Sequence, residues 1–481
     1  MRYMRRLACM VTVAAFVPGC TVVGPDYVRP QVDSPAAFRF ADKEARDTAN
    51  TEWWKQFQDP VLDGLIAEAL ANNKNVKIAA ANVEQAAGVL QQTRSAVYPQ
   101  VGYQGAAARQ QASEANAVPI PSSVANPQSA YQALAGASWE IDLWGRIRRQ
   151  SESAQATLFA TEQARRGVVL SLVGTVASSY LLLRGLDQQL EISRRTLATY
   201  AESVRLFDLQ FKYGVISKMT VEQARSQYEA AAAQIPQIEA QAAQTENALS
   251  ILLGRNPGPI QRGKPLADLA LPAVPAGLPS DVLERRPDIA QAEQQLIAAN
   301  ARIGAAKALY YPTISLTGAF GSASADLSDL FSGPARVWSF AGGIAGPIFT
   351  GGAIAGTVAQ AEAAQKAALL NYELAIQSAF ADVENALVSR AKTAEQLQAQ
   401  ERLVKSLSEY ERLARLQYDG GYTPYLTVLN AQQQLFPAEL NYALGRTQTL
   451  NSLVGLYKAM GGGWVVEADK VATQSAAAAR Q

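Results

Sequence analysis

Histidine is absent from the 481-residue chain. Its absence removes the side chain that most often serves as general base or metal ligand, which disfavours zinc sites and Ser-His catalytic sets. The two cysteines, Cys9 and Cys20, both lie near the N-terminus, so no disulfide framework can form after residue 20. The 43 basic and 42 acidic residues give a net charge of +1, which does not indicate a nucleic-acid partner. We therefore expect a protein that is not an enzyme and holds no cofactor or metal.

Long apolar runs are also missing from the body of the chain, and this directs attention to the N-terminus. Arg2, Arg5 and Arg6 precede the apolar stretch 7–17, which is too short to span a bilayer as a helix. This pattern predicts a signal peptide over residues 1–19. No later stretch of 18 or more apolar residues predicts a transmembrane helix.

A lipid anchor is predicted at the end of this signal. Gly19 directly precedes Cys20, and a small residue before a cysteine is typical of a bacterial lipoprotein signal. Cys20 would then carry a diacylglycerol thioether and an N-acyl chain, which anchor a protein firmly. Thr21 rather than aspartate follows the cysteine, which favours sorting to the outer membrane. The alternative is an ordinary signal peptide with a chance cysteine.

The rest of the chain contains an internal duplication. The repeated segments keep the same order and lie more than 200 residues apart, too far for a solenoid repeat, so half of one fold is duplicated. The pairs are 209–214 with 416–421, 97–99 with 310–312 and, more loosely, 142–145 with 347–351.

Each copy contains a very long predicted helix. The first extends from Gly145 to about Tyr213 without proline and carries apolar residues at every seventh position from Val169 to Phe211. Such a heptad pattern predicts a helix that supercoils with its neighbours. The second long helix is expected over 351–417.

Glycines predict the ends of both long helices. Gly214 and Gly420-Gly421 would act as C-caps, and partner helices would begin near Thr220 and Thr427. A further helical pattern covers residues 61–97 and ends before Pro99. The sequence thus predicts two long helical hairpins.

Four segments alternate between apolar and small or polar residues, as transmembrane barrel strands do. They are expected at about 99–113, 129–143, 312–322 and 335–348. Four strands cannot close a barrel, and lipid tolerates no open sheet edge. Two chains would give eight strands and a filled barrel, whereas three would give twelve strands and a lumen, which favours a trimer. Alternatively, the strands cap a soluble helical body.

Several motifs resemble those of the TolC-like outer-membrane factors, and more closely the NodT-type efflux lipoproteins of resistance-nodulation-division systems. The match covers nearly the whole mature chain. The motifs lie at 20–27 with Pro30, 53–54, 139–145, 284–289, 311–312 and 426–432.

The resemblance implies a mainly helical homotrimer with a twelve-stranded outer-membrane barrel and a twelve-helix periplasmic tunnel. It also implies an exit duct that exports antibiotics, dyes, detergents or solvents. The expected partners are a periplasmic adaptor, an inner-membrane transporter of the resistance-nodulation-division type, and outer-membrane lipid. The alternative function is a lipid-anchored periplasmic coiled-coil scaffold without a pore.

The resemblance also places the closed constriction at the turns after the long helices. Relatives often carry acids where this chain has Thr427 and Asn430, so a strong aspartate ring is not expected. Either a pairing of Asp419 with Lys212 or Lys218 would hold the tip closed, or tyrosines would pack there. The candidates are Lys212, Lys218, Tyr418, Asp419, Tyr422, Tyr425, Thr427 and Asn430.

The sequence divides the chain into six parts. In the family picture, the Pro-rich linker, Trp53-Trp54 and the end of the chain form an equatorial belt around the helices. The parts are a signal peptide (1–19), a lipid-anchored extension (20–59), a first repeat (60–254), the Pro-rich linker (255–287), a second repeat (288–463) and a C-terminal tail (464–481).

Overall fold

The computed structural model describes residues 22–32, 35, 37–40, 52–113, 115, 121, 125–272, 274 and 279–461. In this part of the chain, long helices alternate with two pairs of strands. The helices are α1 (Pro60–Asn72), α2 (Lys74–Ser95), α3 (Arg146–Lys212), α4 (Lys218–Leu252), α5 (Pro279–Arg285), α6 (Pro287–Lys307), α7 (Ala353–Asp419) and α8 (Leu426–Ala459). The strands are β1 (Gln100–Gln110), β2 (Gln128–Ile141), β3 (Thr313–Ser324) and β4 (Arg336–Ala345).

The four strands form one antiparallel sheet in the order β1-β2-β3-β4. Large apolar side chains line one face of the sheet. On this face, Ile314 of β3 lies opposite Ile344 of β4, and Phe320 lies opposite Trp338. Phe320 and Trp338 are 64% and 70% exposed, so this apolar face is not covered within one chain. Within the described residues, β1 pairs only with β2 and β4 only with β3, which leaves both edges of the sheet open.

The chain divides into two compact units. One comprises Met1–Gln31, Val83–Ala160 and Ala292–Tyr372 and contains the sheet. The other comprises Val32–Asn82, Thr161–Gln291 and Glu373–Gln481 and contains the main apolar core.

Aromatic residues of the N-terminal extension are buried in that main core. The Trp53 ring stacks on Tyr457 of α8 with 5.2 Å between ring centroids, and Trp54 and Phe57 are also buried. Leu266 from the linker joins the same cluster. Extension, linker and α8 are thus joined by apolar packing, which is the strongest driving force for folding.

The two long helices begin and end within two residues of the expected positions, and each has 67 residues, or about 100 Å at 1.5 Å per residue. The heptad positions of α3 are unequally buried. Val169, Val176 and Leu183 are fully buried, whereas Phe211 at the end of the same series is 44% exposed. One 18-residue window of α3 is apolar enough to span a bilayer, but 56% of it is buried inside the protein, so packing accounts for its composition.

The helical pattern over residues 61–97 is two helices rather than one, which corrects the expectation of a single helix. Asn73 separates them with non-helical backbone angles (φ −56°, ψ 131°), and its Oδ1 accepts hydrogen bonds from the backbone N–H of Asn75 (2.8 Å) and Val76 (3.2 Å). Its Nδ2 donates to the carbonyl of Leu252 at 2.8 Å. Asparagine competes well for such local hydrogen bonds, and here it caps α2 and ties α1 to the end of α4.

Candidate functional site

The turns that follow the two long helices have the same geometry. After α3, the N–H of Val215 donates to the carbonyl of Gln210 at 2.9 Å, and Gly214 has φ +69°. After α7, the N–H of Tyr422 donates to the carbonyl of Gln417 at 2.9 Å, and Gly421 has φ +75°. These are helix C-caps with a left-handed glycine, and the glycine ends predicted from the duplication are confirmed.

A polar–aromatic cluster joins the two hairpins near these turns, and we call it the tip cluster. The Tyr425 hydroxyl and Ser203 Oγ of α3 are 2.8 Å apart and share a hydrogen bond. The Tyr425 ring meets Phe207 of α3 edge-on at 4.3 Å and Tyr418 of α7 edge-on at 4.9 Å. Burial raises the pKa of Tyr425, so its hydroxyl is neutral at physiological pH. The tip cluster thus connects α3, α7 and the start of α8 within one chain.

A second layer of contacts lies next to the tip cluster. The buried Tyr200 hydroxyl donates to the backbone carbonyl of Gln432 at 3.3 Å. The Gln432 side chain donates to Glu411 at 3.1 Å, and Arg415 forms an ion pair with the same carboxylate at 3.2 Å. Burial raises the pKa of Tyr200 to about 12. Both layers join the first hairpin to the second by hydrogen bonds.

The structure brings together only some of the residues predicted for a constriction. Tyr418 and Tyr425 meet in the tip cluster, whereas Tyr422 is 85% exposed and contacts no other ring in the described chain. Among the described residues, no ion pair joins Asp419 to Lys212 or Lys218, and all three are exposed. The charge pairing therefore does not occur within one chain.

The other two candidates also lie outside the tip cluster. Thr427 is half-buried and uses its backbone N–H to cap the carbonyl of Pro424 at 3.1 Å. Asn430 is exposed. The sequence did not predict Ser203 and Phe207 as site residues, although Phe207 belongs, with Tyr200, to a second series of residues in α3 that recur every seven positions.

Cys20, the predicted lipidation site, lies outside the described residues. The described segment that begins at Val22 is held by hydrogen bonds. The N–H of Val23 donates to the carbonyl of Trp144 at 3.1 Å, and Asn300 donates to the carbonyl of Pro25 at 3.0 Å. The buried Arg149 guanidinium pairs with Asp26 at 2.7 Å. The chain that would emerge from a lipid anchor is therefore held against the unit that contains the sheet.

The motif at 284–289 contributes a buried cation. Arg286 binds Asp288 at 2.7 Å and Asp382 at 2.9 Å, and it donates to the carbonyl of Ala459 at the end of α8. Burial raises the pKa of Asp288, but the Arg286 guanidinium outweighs it and holds that pKa below its usual range. These residues border a cavity of about 770 Å³ whose lining combines polar and apolar side chains. The described residues contain no group of three or more acidic or cysteine side chains suited to a metal ion.

Solved structures share this fold. The chain superimposes on the open-state outer-membrane channel MtrE of Neisseria gonorrhoeae with a TM-score of 0.83, at 32% identity, over 92% of this chain and 99% of that one. Two long helical hairpins joined to a four-stranded sheet are thus the fold of an outer-membrane channel. The expected fold class, mainly helical with four strands per chain, is confirmed.

The sequence comparisons agree. The family model for outer membrane efflux proteins matches residues 65–255 and 278–462. The solvent efflux pump outer membrane protein SrpC of Pseudomonas putida is 39% identical over 93% of this chain and 96% of its own length. The probable outer membrane lipoprotein SilC of Salmonella typhimurium is 34% identical over 95% and 98%. The chain belongs to the outer membrane efflux protein family.

This membership decides between the two functions that the sequence left open. The protein is located in the outer membrane and serves as an exit duct for efflux. The alternative, a coiled-coil scaffold without a pore, is not what the comparisons support.

Proposed function

We propose that the chain forms, as a homotrimer, the outer-membrane duct of a tripartite pump that exports antibiotics, solvents and other small toxic compounds. A periplasmic adaptor and an inner-membrane transporter of the resistance-nodulation-division type would deliver the compounds. The name of the solvent efflux relative SrpC supports apolar small molecules as cargo.

The open-edged sheet is the observation that carries this proposal. β1 and β4 each leave one row of backbone N–H and C=O groups without a strand partner. Inside a bilayer such groups must be satisfied, so the sheet has to close with strands from other copies. Three copies supply twelve strands, which leave a lumen, whereas eight would be filled by side chains.

The tip cluster is our proposal for the closed gate, in place of the charge pairing. In the closed state, Tyr425 of each chain would stay bonded to Ser203, which holds α8 against α3. An adaptor that offered competing contacts would shift the population toward an open state. A hydrogen bond of this kind contributes about 1 kcal/mol, and threefold symmetry multiplies it.

Anchoring and domain division belong to the same proposal. Cys20 would be the acylated N-terminus, and the chain from there would extend into the periplasm along the part 20–59. The burial of Trp53 with Leu266 of the linker supports the predicted belt of extension and linker. The predicted boundaries at 60, 255 and 288 remain a prediction.

Planar-bilayer conductance of the purified full-length protein tests the function. We expect discrete channels from the trimer, and larger conductance when the adaptor is added. Complementation of a strain that lacks its own duct should restore growth on solvents and antibiotics. A trimer that neither conducts nor complements would contradict the proposal.

A further inference from the structure

The turn between β4 and α7 exposes two adjacent apolar side chains. Ile348 is 103% exposed and Phe349 is 90% exposed, and both lie next to the open edge of the sheet. Single exposed apolar residues are ordinary, but an apolar pair beside an unpaired strand indicates a contact surface. Tyr98, just before the other edge strand β1, is 68% exposed.

In the first copy of the internal repeat, the equivalent turn, which follows β2, makes an aromatic contact with the residues before β3. Trp144, which follows β2, stacks on Tyr311 with 4.6 Å between ring centroids, and its Nε1 donates to the carbonyl of Pro312 at 2.8 Å. Tyr311 and Pro312 directly precede β3, the strand that pairs with β2. Continuing the β2–β3 register beyond the pair Ile141–Ile314 places Trp144 opposite Tyr311. An aromatic pair thus closes the end of this strand pair.

The second copy of the repeat has equivalent residues, but within one chain its strand β4 does not pair with β1. Phe349 follows β4 as Trp144 follows β2, and Tyr98-Pro99 precedes β1 as Tyr311-Pro312 precedes β3. Within one chain, β1 and β4 lie at opposite edges of the sheet. The two halves of the equivalent contact can therefore meet only between copies.

We infer that Ile348-Phe349 of one copy packs on Tyr98-Pro99 of the next, beside an antiparallel pairing of β4 with β1 of that copy. The inference rests on the proposed trimer and identifies the residues that join its subunits. We assign both Ile348 and Phe349 to this contact because the connection between β4 and α7 (346–352) is longer than the connection between β2 and α3 (142–145).

The register that this contact sets agrees with the faces of the sheet. If Phe349 lies opposite Tyr98, the same antiparallel register places Ile344 opposite Tyr103 and Phe340 opposite Ala107. Tyr103 lies on the same apolar face as Phe340. Across the sheet, Tyr103 lies opposite Ala135, Ala135 opposite Phe320, and Phe320 opposite Trp338, which is two positions from Phe340 on β4. A slip of one residue would place apolar-face side chains opposite the other face. The pairing extends from Ala345 opposite Gly102 to Val337 opposite Gln110 and uses nearly all of both strands.

Disulfide trapping tests the contact in the full-length protein in membranes. Directly opposed residues on antiparallel strands lie about 4.5–5.5 Å apart at Cα, within reach of a disulfide. We expect the double variant Tyr98→Cys with Phe349→Cys to run mainly as a covalent trimer on a denaturing gel after mild oxidation. Each single variant should stay monomeric on that gel, which controls for any reaction of Cys20.

Two matched pairs control for register and for folding. Gln110→Cys with Phe349→Cys places the second cysteine at the far end of β1, roughly 40 Å away, and should give no cross-link. Trp144→Cys with Tyr311→Cys should cross-link within the chain and change mobility without a gain in mass. A readout that needs no double variant is maleimide labelling of Phe349→Cys, which we expect to be at least tenfold slower in the trimer than after heat dissociation.

Native mass spectrometry separates failure of the contact from failure of the trimer. If the protein is a trimer but the Tyr98→Cys/Phe349→Cys pair does not cross-link and Phe349→Cys labels equally fast before and after dissociation, the contact is wrong and the proposed function stands. If the protein is a monomer in lipid, the proposed trimer is wrong, and the contact with it.

Discussion

At the scale of single residues, Asp59 is the most connected buried carboxylate of the described chain. It is fully buried, and it accepts hydrogen bonds from the Tyr180 hydroxyl (2.7 Å) and from the N–H of Val61 (3.0 Å) and Lys264 (3.2 Å). It therefore caps α1 and connects the extension, α3 and the linker. Burial and the neighbouring Asp59 hold the pKa of Tyr180 well above its usual value. The hydroxyl therefore stays protonated and remains a hydrogen-bond donor.

We expect Asp59→Ala to lower the free energy of unfolding by about 2–4 kcal/mol, because it removes the side-chain cap of α1 and leaves the buried Tyr180 hydroxyl without an acceptor. Thermal denaturation and protease resistance of the purified protein measure the change. Tyr180→Phe removes one of the same bonds and should cost about 1–2 kcal/mol. Glu202→Gln, at an exposed pair, should have almost no effect. Equal stability of Asp59→Ala and wild type would contradict this role.

A pH effect is expected at Glu246, which ties the linker to α4. Arg262 forms ion pairs with Glu246 and, at 3.1 Å, with Asp187, while the N–H of Ile260 donates to Glu246. Burial raises the pKa of Glu246, but the Arg262 guanidinium and the N–H of Ile260 outweigh burial, so folding lowers that pKa below its usual range. The resulting stabilisation is present above the unfolded pKa and is lost as the pH falls through the folded pKa.

Wild type should therefore lose more stability than Glu246→Gln between about pH 6 and pH 3, by about 1 kcal/mol. Urea denaturation midpoints across this range measure the difference. Glu409→Gln, at an exposed pair with Arg412 that solvent screens, is the matched control and should follow the wild-type pH profile closely. Parallel profiles for wild type and Glu246→Gln would show that this carboxylate is not linked to folding.

At the scale of elements, the two hairpins are held together at their tips by a few specific contacts. Loss of the Tyr425–Ser203 hydrogen bond costs about 1 kcal/mol in each chain, which corresponds to about a fivefold shift in the population of a two-state element. We expect Tyr425→Phe and Ser203→Ala each to raise channel conductance. The double variant should do little more than either, because both remove the same bond. Single-channel recording measures all three.

Tyr422→Phe and Asp419→Ala serve as comparisons for this experiment. Tyr422 is exposed outside the tip cluster, so its variant should conduct like wild type. Asp419→Ala tests the charge pairing between copies, and an opening effect limited to low salt would favour that hypothesis. Conductance unchanged in both Tyr425→Phe and Ser203→Ala would exclude the tip cluster as the gate.

At the scale of the whole molecule, anchoring and assembly are separate properties. We expect mass spectrometry to find Cys20 as an acylated N-terminus and Cys20→Ser to weaken membrane attachment. The barrel should still retain the variant in the membrane, because its strands, and not the lipid, cross the bilayer. Membrane fractionation with and without a carbonate wash measures retention. An unmodified thiol, or cleavage elsewhere, would contradict the anchor.

Features that depend on local rules could be predicted from the order of the residues. Glycines at 214 and 421 end the long helices because a left-handed residue closes a helix without a Cβ penalty. Alternating residues predict the four strands because side chains of a strand point to opposite faces. Local reasoning failed at Asn73, whose side chain also bonds Leu252 far along the chain. The absence of histidine and the internal duplication were equally plain from the sequence.

Which of these elements are in contact could be seen only in the folded chain. Ser203 and Tyr425 lie 222 positions apart, and Asp59 and Tyr180 lie 121 apart, so no local pattern connects them. The sequence offered eight tip candidates, and only the folded chain shows that Tyr418 and Tyr425 are in contact. The same holds for the sheet, where strand order leaves β1 and β4 at the edges. Contacts between distant residues depend on how complete surfaces fit together, and periodicity along the chain carries no information about that fit.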